Sequence, residues 1–216
     1  MTRRLLQIAL GVVLGLGLTL VVLRTGAPDP SSGGEEDATA RALLAEPFPA
    51  PALDLVDPAG RPVHLDEFRG SVVALFFGYT YCPDVCPLTL AVLGRLQEEG
   101  FEEGPPVEVL FVSVDPERDG PQRLERFTAG LPGSVRAATG EGPRIREQAV
   151  AYGVDVRRPG APDRVDPEGP VPDYRVDHTA RTFLIDPGGR VSATLPPMVS
   201  APDARAIIEA VRSRGP

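Results

Sequence analysis

Residues 72–77, Val-Val-Ala-Leu-Phe-Phe, form an unbroken apolar run between Ser71 and Gly78, the pattern of a strand covered on both faces. Val107 to Val114, apolar apart from Glu108 and Ser113, predicts a second buried strand. Between them Leu88, Val92, Leu93 and Leu96 recur at helical spacing and stop at Gly100, a C-cap residue. Pro121–Ala129 and Arg144–Tyr152 read as further helices, and Ala204–Arg212 as a closing amphipathic one. Thr182–Asp186 and Val191–Leu195 form a hairpin about Pro187-Gly188-Gly189. A smaller hairpin precedes the first buried strand: Leu53 and Leu55 alternate against Val63 and Leu65 around Asp57-Pro58-Ala59-Gly60. Strands alternating with helices and ending in a hairpin plus helix predict a mixed α/β sheet with helices on its faces.

The first part of the chain has a different texture. After Arg3-Arg4 come nineteen residues, Leu5 to Leu23, interrupted only by Gln7, Thr19 and glycines. As a helix they would span about 28 Å, close to the thickness of a bilayer's hydrocarbon core. No small-x-small cleavage site follows at Val22–Gly26, so residues 1–25 are read as an uncleaved single membrane anchor. The arginines hold its start on the cytoplasmic side, which places the rest outside the cytoplasm: a single-pass protein of the cytoplasmic membrane with a periplasmic domain. Residues 26–47, rich in Pro, Ser, Gly, Asp and Glu, read as a flexible tether, and 48–216 as one globular domain. The net charge of −8 argues against nucleic acid as a partner, since such binding needs clustered cations. All 22 basic residues are arginine, which carries no functional weight.

Chemistry concentrates in one place. Both cysteines of the chain, Cys82 and Cys86, lie in Tyr81-Cys82-Pro83-Asp84-Val85-Cys86-Pro87, directly after the first buried strand. The loop at the carboxyl end of such a strand is where open sheets place their sites. If the pair opens the following helix, the two Cα atoms are about 6 Å apart, within disulfide reach, and the side chains converge on one face. Free amides of a first helical turn also lower a thiol's pKa. A plain structural disulfide is the bland alternative, but so short a loop restricts the unfolded chain little, and redox or soft-metal chemistry is the better reading.

A third ligand would come from one of two histidines. His178, in Val176-Asp177-His178-Thr179, has Asp177 beside it to orient the ring, whereas His64 sits in the small hairpin and reads as a surface side chain. Two thiolates and an imidazole suit Cu(I) or Zn(II) equally at this level. Met198 is a candidate axial thioether that more simply reads as a core or rim residue, and Asp84 and Asp177 would add negative charge near a cation.

Three segments taken together resemble the SCO/SenC family of copper proteins: Gly78-Tyr79-Thr80-Tyr81-Cys82-Pro83-Asp84-Val85-Cys86-Pro87, Val112-Ser113-Val114-Asp115-Pro116-Glu117-Arg118-Asp119, and Val176-Asp177-His178-Thr179-Ala180 with Asp186-Pro187 downstream. The likeness runs from about Phe48 to Arg212, with the motifs in family order. It implies a thioredoxin-like fold holding copper on Cys82, Cys86 and His178, and a role in assembling the dinuclear copper (CuA) centre of cytochrome c oxidase subunit II, with another copper chaperone as a conceivable donor. Gly120 stands where the family often has Thr, outside the ligand set, and the Pro- and charge-rich stretch Arg157–Pro172 leaves the approach to His178 undefined.

Two rivals use the same sulfurs. A thiol reductant keeping the CuA-site cysteines reduced is the close one. General disulfide exchange is weakened, because thioredoxins use CxxC and a proline before the facing strand, whereas this chain has CxxxC and Ala180-Arg181-Thr182. A peroxiredoxin-like peroxidase lacks its Pro-x-x-x-Thr/Ser signature before Cys82.

Overall fold

The computed structural model describes residues 39–102, 104–162, 165–166 and 169–214. The expected anchor and most of the tether lie outside the described residues. Among the described residues no helix is long and apolar enough to cross a membrane.

Six strands make one mixed sheet in the order β1 (Leu43–Pro49), β10 (Arg190–Leu195), β9 (Thr182–Ile185), β4 (Val72–Gly78), β5 (Val107–Ser113) and β6 (Val135–Ala138). β4, β5 and β6 run parallel, and β9, β10 and β1 continue antiparallel from β4. Two short ribbons complete the strands: β2 (Leu55–Val56) with β3 (Pro62–Val63), and β7 (Val156–Arg157) with β8 (Asp177–His178). The helices are α1 (Val85–Glu99), α2 (Pro121–Ala129), α3 (Gly142–Ala151) and α4 (Ala201–Arg212).

The apolar runs explain this arrangement. Strand residues point alternately to opposite faces, so a continuous apolar strand needs cover on both. Val73, Leu75 and Phe77 of β4 join Ile145 and Ala149 of α3, Tyr152 and Phe183 on one side. Val72, Ala74 and Phe76 join Leu90, Leu93 and Leu96 of α1 and Ile207 and Ile208 of α4 on the other. Burial of these side chains is the main stabilising term, at roughly 1.5–3 kcal/mol for each large one.

The predicted elements recur with small shifts. α1 starts at Val85, three residues before the periodic stretch, and ends where Gly100 turns to φ 76°, as a C-cap glycine does. One boundary is corrected. β1 begins at Leu43, inside the stretch assigned to the tether, and pairs with β10 through Leu43↔Ala193 and Phe48↔Val191. Its composition is that of an edge strand, half exposed and irregular in register, so alternation is weak there. β6 and the β7–β8 ribbon are also additions to the sequence reading: four and two residues respectively are too short to show a period.

Candidate metal centre

β4 delivers the chain to the carboxyl end of the sheet, where Gly78 closes the strand. A Cβ on Gly78 would lie 2.9 Å from Cys86 Sγ and 3.0 Å from the rings of Phe76 and Phe111, so the absent side chain is the space the thiol occupies. Tyr79 to Asp84 then turn the chain into α1. The Cys82 amide donates to the Tyr79 carbonyl (3.3 Å), and the Leu88 amide to the Asp84 carbonyl (3.1 Å) starts the helical ladder.

This geometry makes the thiols unequal. Both are free; Cys82 is half-buried, while Cys86 is fully buried. The Cys86 amide donates to Cys82 Sγ at 3.4 Å. A hydrogen bond from the Cys86 thiol, helped by the amides of Cys86, Asp84 and Val85, lowers the Cys82 pKa to about 6. The same thiol pairing, with burial, pushes Cys86 up. Cys82 is therefore the thiolate and Cys86 keeps its proton.

Reduced protein at pH 7 should thus be alkylated at Cys82 and spared at Cys86, with the rate rising through a midpoint near pH 6; peptide mapping after brief iodoacetamide treatment checks it. The linked stability has a definite sign. A group whose folded pKa lies below its unfolded value stabilises the fold above the unfolded pKa, and that contribution is lost as pH falls through the folded one. Relative to Cys82→Ser, the reduced parent should melt at progressively higher temperature as pH rises from about 6 toward 9.0.

His178 reaches the same point from the far side of the chain. β8 pairs with β7 through His178↔Val156, which turns Asp177 out to solvent and His178 inward. Its ring stands edge-on to Phe76 and Tyr79, with centroids 6.4 and 5.8 Å away. Nε2 lies 3.8 Å from Cys86 Sγ. Burial lowers the imidazole pKa, with the Thr179 backbone and then Asp177 only partly opposing it, which keeps the ring neutral and able to donate a lone pair. Asp177 does not orient the ring as expected from its position: Nδ1 is buried and finds no hydrogen-bond partner among the described residues.

The structure therefore brings Cys86 and His178 side by side and Cys82 onto the Cys86 amide. Among the described residues no three His, Cys, Asp or Glu side chains are already gathered at ion-holding geometry, so an ion would have to draw the three together. Asp84 is exposed at the start of α1. Met198 is 63% exposed on the connection to α4, and His64 is an exposed residue whose amide donates to Glu67 Oε1 at 2.7 Å.

The residues that hold this arrangement are not among the ligands the sequence points to. They belong to the turn after β5, Asp115 to Asp119. Buried Asp119 accepts from the Thr80 amide (2.8 Å), the Thr80 hydroxyl (2.6 Å) and the Ser113 hydroxyl (2.6 Å), fixing the loop that leads to Cys82. Arg123 adds 2.9 Å to Thr80 Oγ1 and lies over the Tyr81 ring at 4.4 Å. Four charges, Asp115, Glu117, Arg118 and Asp119, follow the buried strand, but along the sequence they read as a solvated turn and carry no local sign of burial.

A thiolate, a protonated thiol and a neutral imidazole at the carboxyl end of a mixed sheet are the donor set of a thiol-based metal or thiol-redox site. The chain belongs to the SCO1/SenC family, whose model matches residues 39–213. The bovine mitochondrial protein SCO2 homolog is 32% identical over 190 residues, covering 87% of this chain and 66% of its own length. The solution structures of apo Sco1 from Thermus thermophilus are 37% identical with a TM-score of 0.64, covering 77% of this chain and 92% of that one. Yeast Sco1 with copper bound is 28% identical with a TM-score of 0.62, covering 79% and 90%.

Proposed function

We propose that the protein is a copper metallochaperone that takes copper on Cys82, Cys86 and His178 and delivers it to the CuA centre of cytochrome c oxidase subunit II. The observation that carries this reading is the approach of His178 Nε2 to 3.8 Å from Cys86 Sγ, beside a Cys82 already inclined to ionise. Two thiolates and an imidazole are a soft donor set. Copper is favoured over zinc because yeast Sco1 carries copper, and the oxidase because the Sco family is one of cytochrome c oxidase assembly proteins. A three-ligand ion leaves room for acceptor thiolates to replace one ligand at a time. Residues 1–25 would anchor the domain to the outer side of the cytoplasmic membrane, where the oxidase copper site is assembled and another copper chaperone would act as donor.

Cys82 is already a thiolate at neutral pH and His178 is neutral, so the proton to be displaced is that of Cys86. Copper uptake by the reduced full chain at pH 7 should release about one proton per ion, measured by calorimetry in buffers of different ionisation enthalpy. Two protons would mean that Cys82 is not pre-ionised. The principal test is anaerobic titration with Cu(I) and Cu(II): one copper per chain, lost to its apo-subunit II acceptor on mixing, supports the reading, and absence of binding removes it.

A second reading is favoured by the asymmetry of the thiols. A half-exposed thiolate backed by a buried thiol is the arrangement for attack on an oxidised partner, Cys82 forming the mixed disulfide and Cys86 resolving it. In that case the protein reduces the CuA-site cysteines. Release of free thiols from oxidised subunit II without copper would support it.

A further inference from the structure

The loop that carries His178 is long, from Arg158 after β7 to Val176 before β8, and both of its ends converge on one buried carboxylate. Arg158 Nη1 donates to Asp115 Oδ1 at 3.1 Å, and the Tyr174 hydroxyl donates to the same oxygen at 2.6 Å. Asp115 Oδ2 accepts from Arg118 Nε at 2.6 Å. Arg118 in turn donates through Nη1 to the Tyr174 carbonyl at 2.8 Å and lies over the Tyr174 ring, 3.6 Å from its centre. The Asp115 and Arg118 side chains are 0% and 2% exposed. A desolvated pair of this kind is a poor source of net stability compared with apolar packing, but removing one partner leaves a buried charge unmatched. The cluster does not touch the thiols, and the loop to Cys82 has its own tie through Asp119. Arg118 also lies over the Tyr79 and Tyr81 rings, 5.8 and 4.9 Å from their centres, so it packs on the loop to Cys82 as well as on Tyr174.

We infer that Asp115 is a positioning residue for His178: by holding Arg158, Arg118 and Tyr174 it pins the chain on leaving β7 and on approaching β8 to the end of β5, and so sets the imidazole against Cys86. This rests on the reading of Cys82, Cys86 and His178 as copper ligands. Asp115 touches no ligand atom and acts only through the chain it pins. An outer contact that orients a ligand is commonly worth about 10–100-fold in metal affinity.

The experiment uses the reduced full chain with four variants: Asp115→Asn, Tyr174→Phe, His178→Ala, and Asp115→Asn combined with His178→Ala. Copper affinity is measured by chelator competition, Cys82 reactivity by iodoacetamide, and the metal-free position of His178 by nuclear Overhauser contacts between its ring and those of Phe76 and Tyr79. Asp115→Asn should weaken copper binding about 10–100-fold and erase the ring contacts, while Cys82 reactivity, set by Cys86 and the amides that open α1, should change little. Tyr174→Phe, which keeps the Asp115–Arg118 pair and the fold, should weaken binding by roughly tenfold. In the His178→Ala background Asp115→Asn should cost nothing further, since residues acting through one ligand are not additive. Unchanged affinity and ring contacts in both Asp115→Asn and Tyr174→Phe, or an equal loss of affinity in the His178→Ala background, would overturn the inference. If the parent itself binds no copper, the copper reading falls, while loss of the ring contacts still supports Asp115 as the residue that positions His178.

Discussion

His178→Ala is expected to weaken copper binding by on the order of a hundredfold or more while leaving the Cys82–Cys86 pair able to cycle between dithiol and disulfide. The argument is one of supply. Among the described residues the only other histidine, His64, is exposed and tied by its own backbone to Glu67, so no second imidazole can take over. Met198 is exposed beyond β10. The Cys82 thiolate depends on Cys86 and on the amides that open α1, none of which the substitution touches. Folding should survive as well, since β8 is a two-residue ribbon and the rings of Phe76 and Tyr79 remain packed in the two apolar layers. Chelator competition and thiolate-to-copper absorption of parent and variant decide the matter. Unchanged affinity would leave the two thiolates as the whole site and remove His178 from the ligand set.

Where sequence was informative, the reason is visible in the packing. The run Val72–Phe77 faces apolar layers on both sides, so every residue of it had to be apolar, and the pattern was unambiguous. The cysteines sit at the carboxyl end of that strand, so their location followed from one well-read element. His178 was legible as a candidate only through its scarcity and through the family resemblance, because β8 has no periodicity of its own. What could not be read was the support. Asp115, Arg118 and Asp119 look like a solvated charged loop in one dimension, and become buried only because Thr80, Arg158 and Tyr174, 39 to 59 positions away, supply their partners. Long-range polar pairing leaves no local signal, whereas apolar burial does. The same holds for β1, whose place at the sheet edge is determined by β10 rather than by its own sequence.

A glycine in the middle of the cysteine-bearing helix gives the second large effect. Gly94 lies inside α1, and on helix propensity alone Gly94→Ala should stabilise the protein by about 1 kcal/mol. The surroundings oppose that. A Cβ at Gly94 would fall on the Pro132 carbonyl, with the Pro132 carbonyl oxygen nearest and its carbon 2.9 Å away, and both are backbone atoms that cannot swing aside. The contact is reciprocal: Gly133, at φ 71°, has its open side against the Gly94 carbonyl and Cα. Gln97 one turn on locks the same crossing, accepting from the Ser134 amide at 2.7 Å and donating to the Val107 carbonyl at 3.0 Å. Making room therefore means separating α1 from the segment that leads into β6, opening the layer of Leu90, Leu93 and Leu96. Overpacking of this kind costs about 1–3 kcal/mol in a core that can relax, and more where backbone meets backbone, so the steric term exceeds the propensity gain. Gly94→Ala should be destabilised by about 2–4 kcal/mol net in denaturant unfolding. Copper affinity should also fall, because displacement of α1 carries Cys86 away from His178, whereas a stabilised Gly94→Ala would show that the helix and the Pro132–Gly133 turn are not in contact.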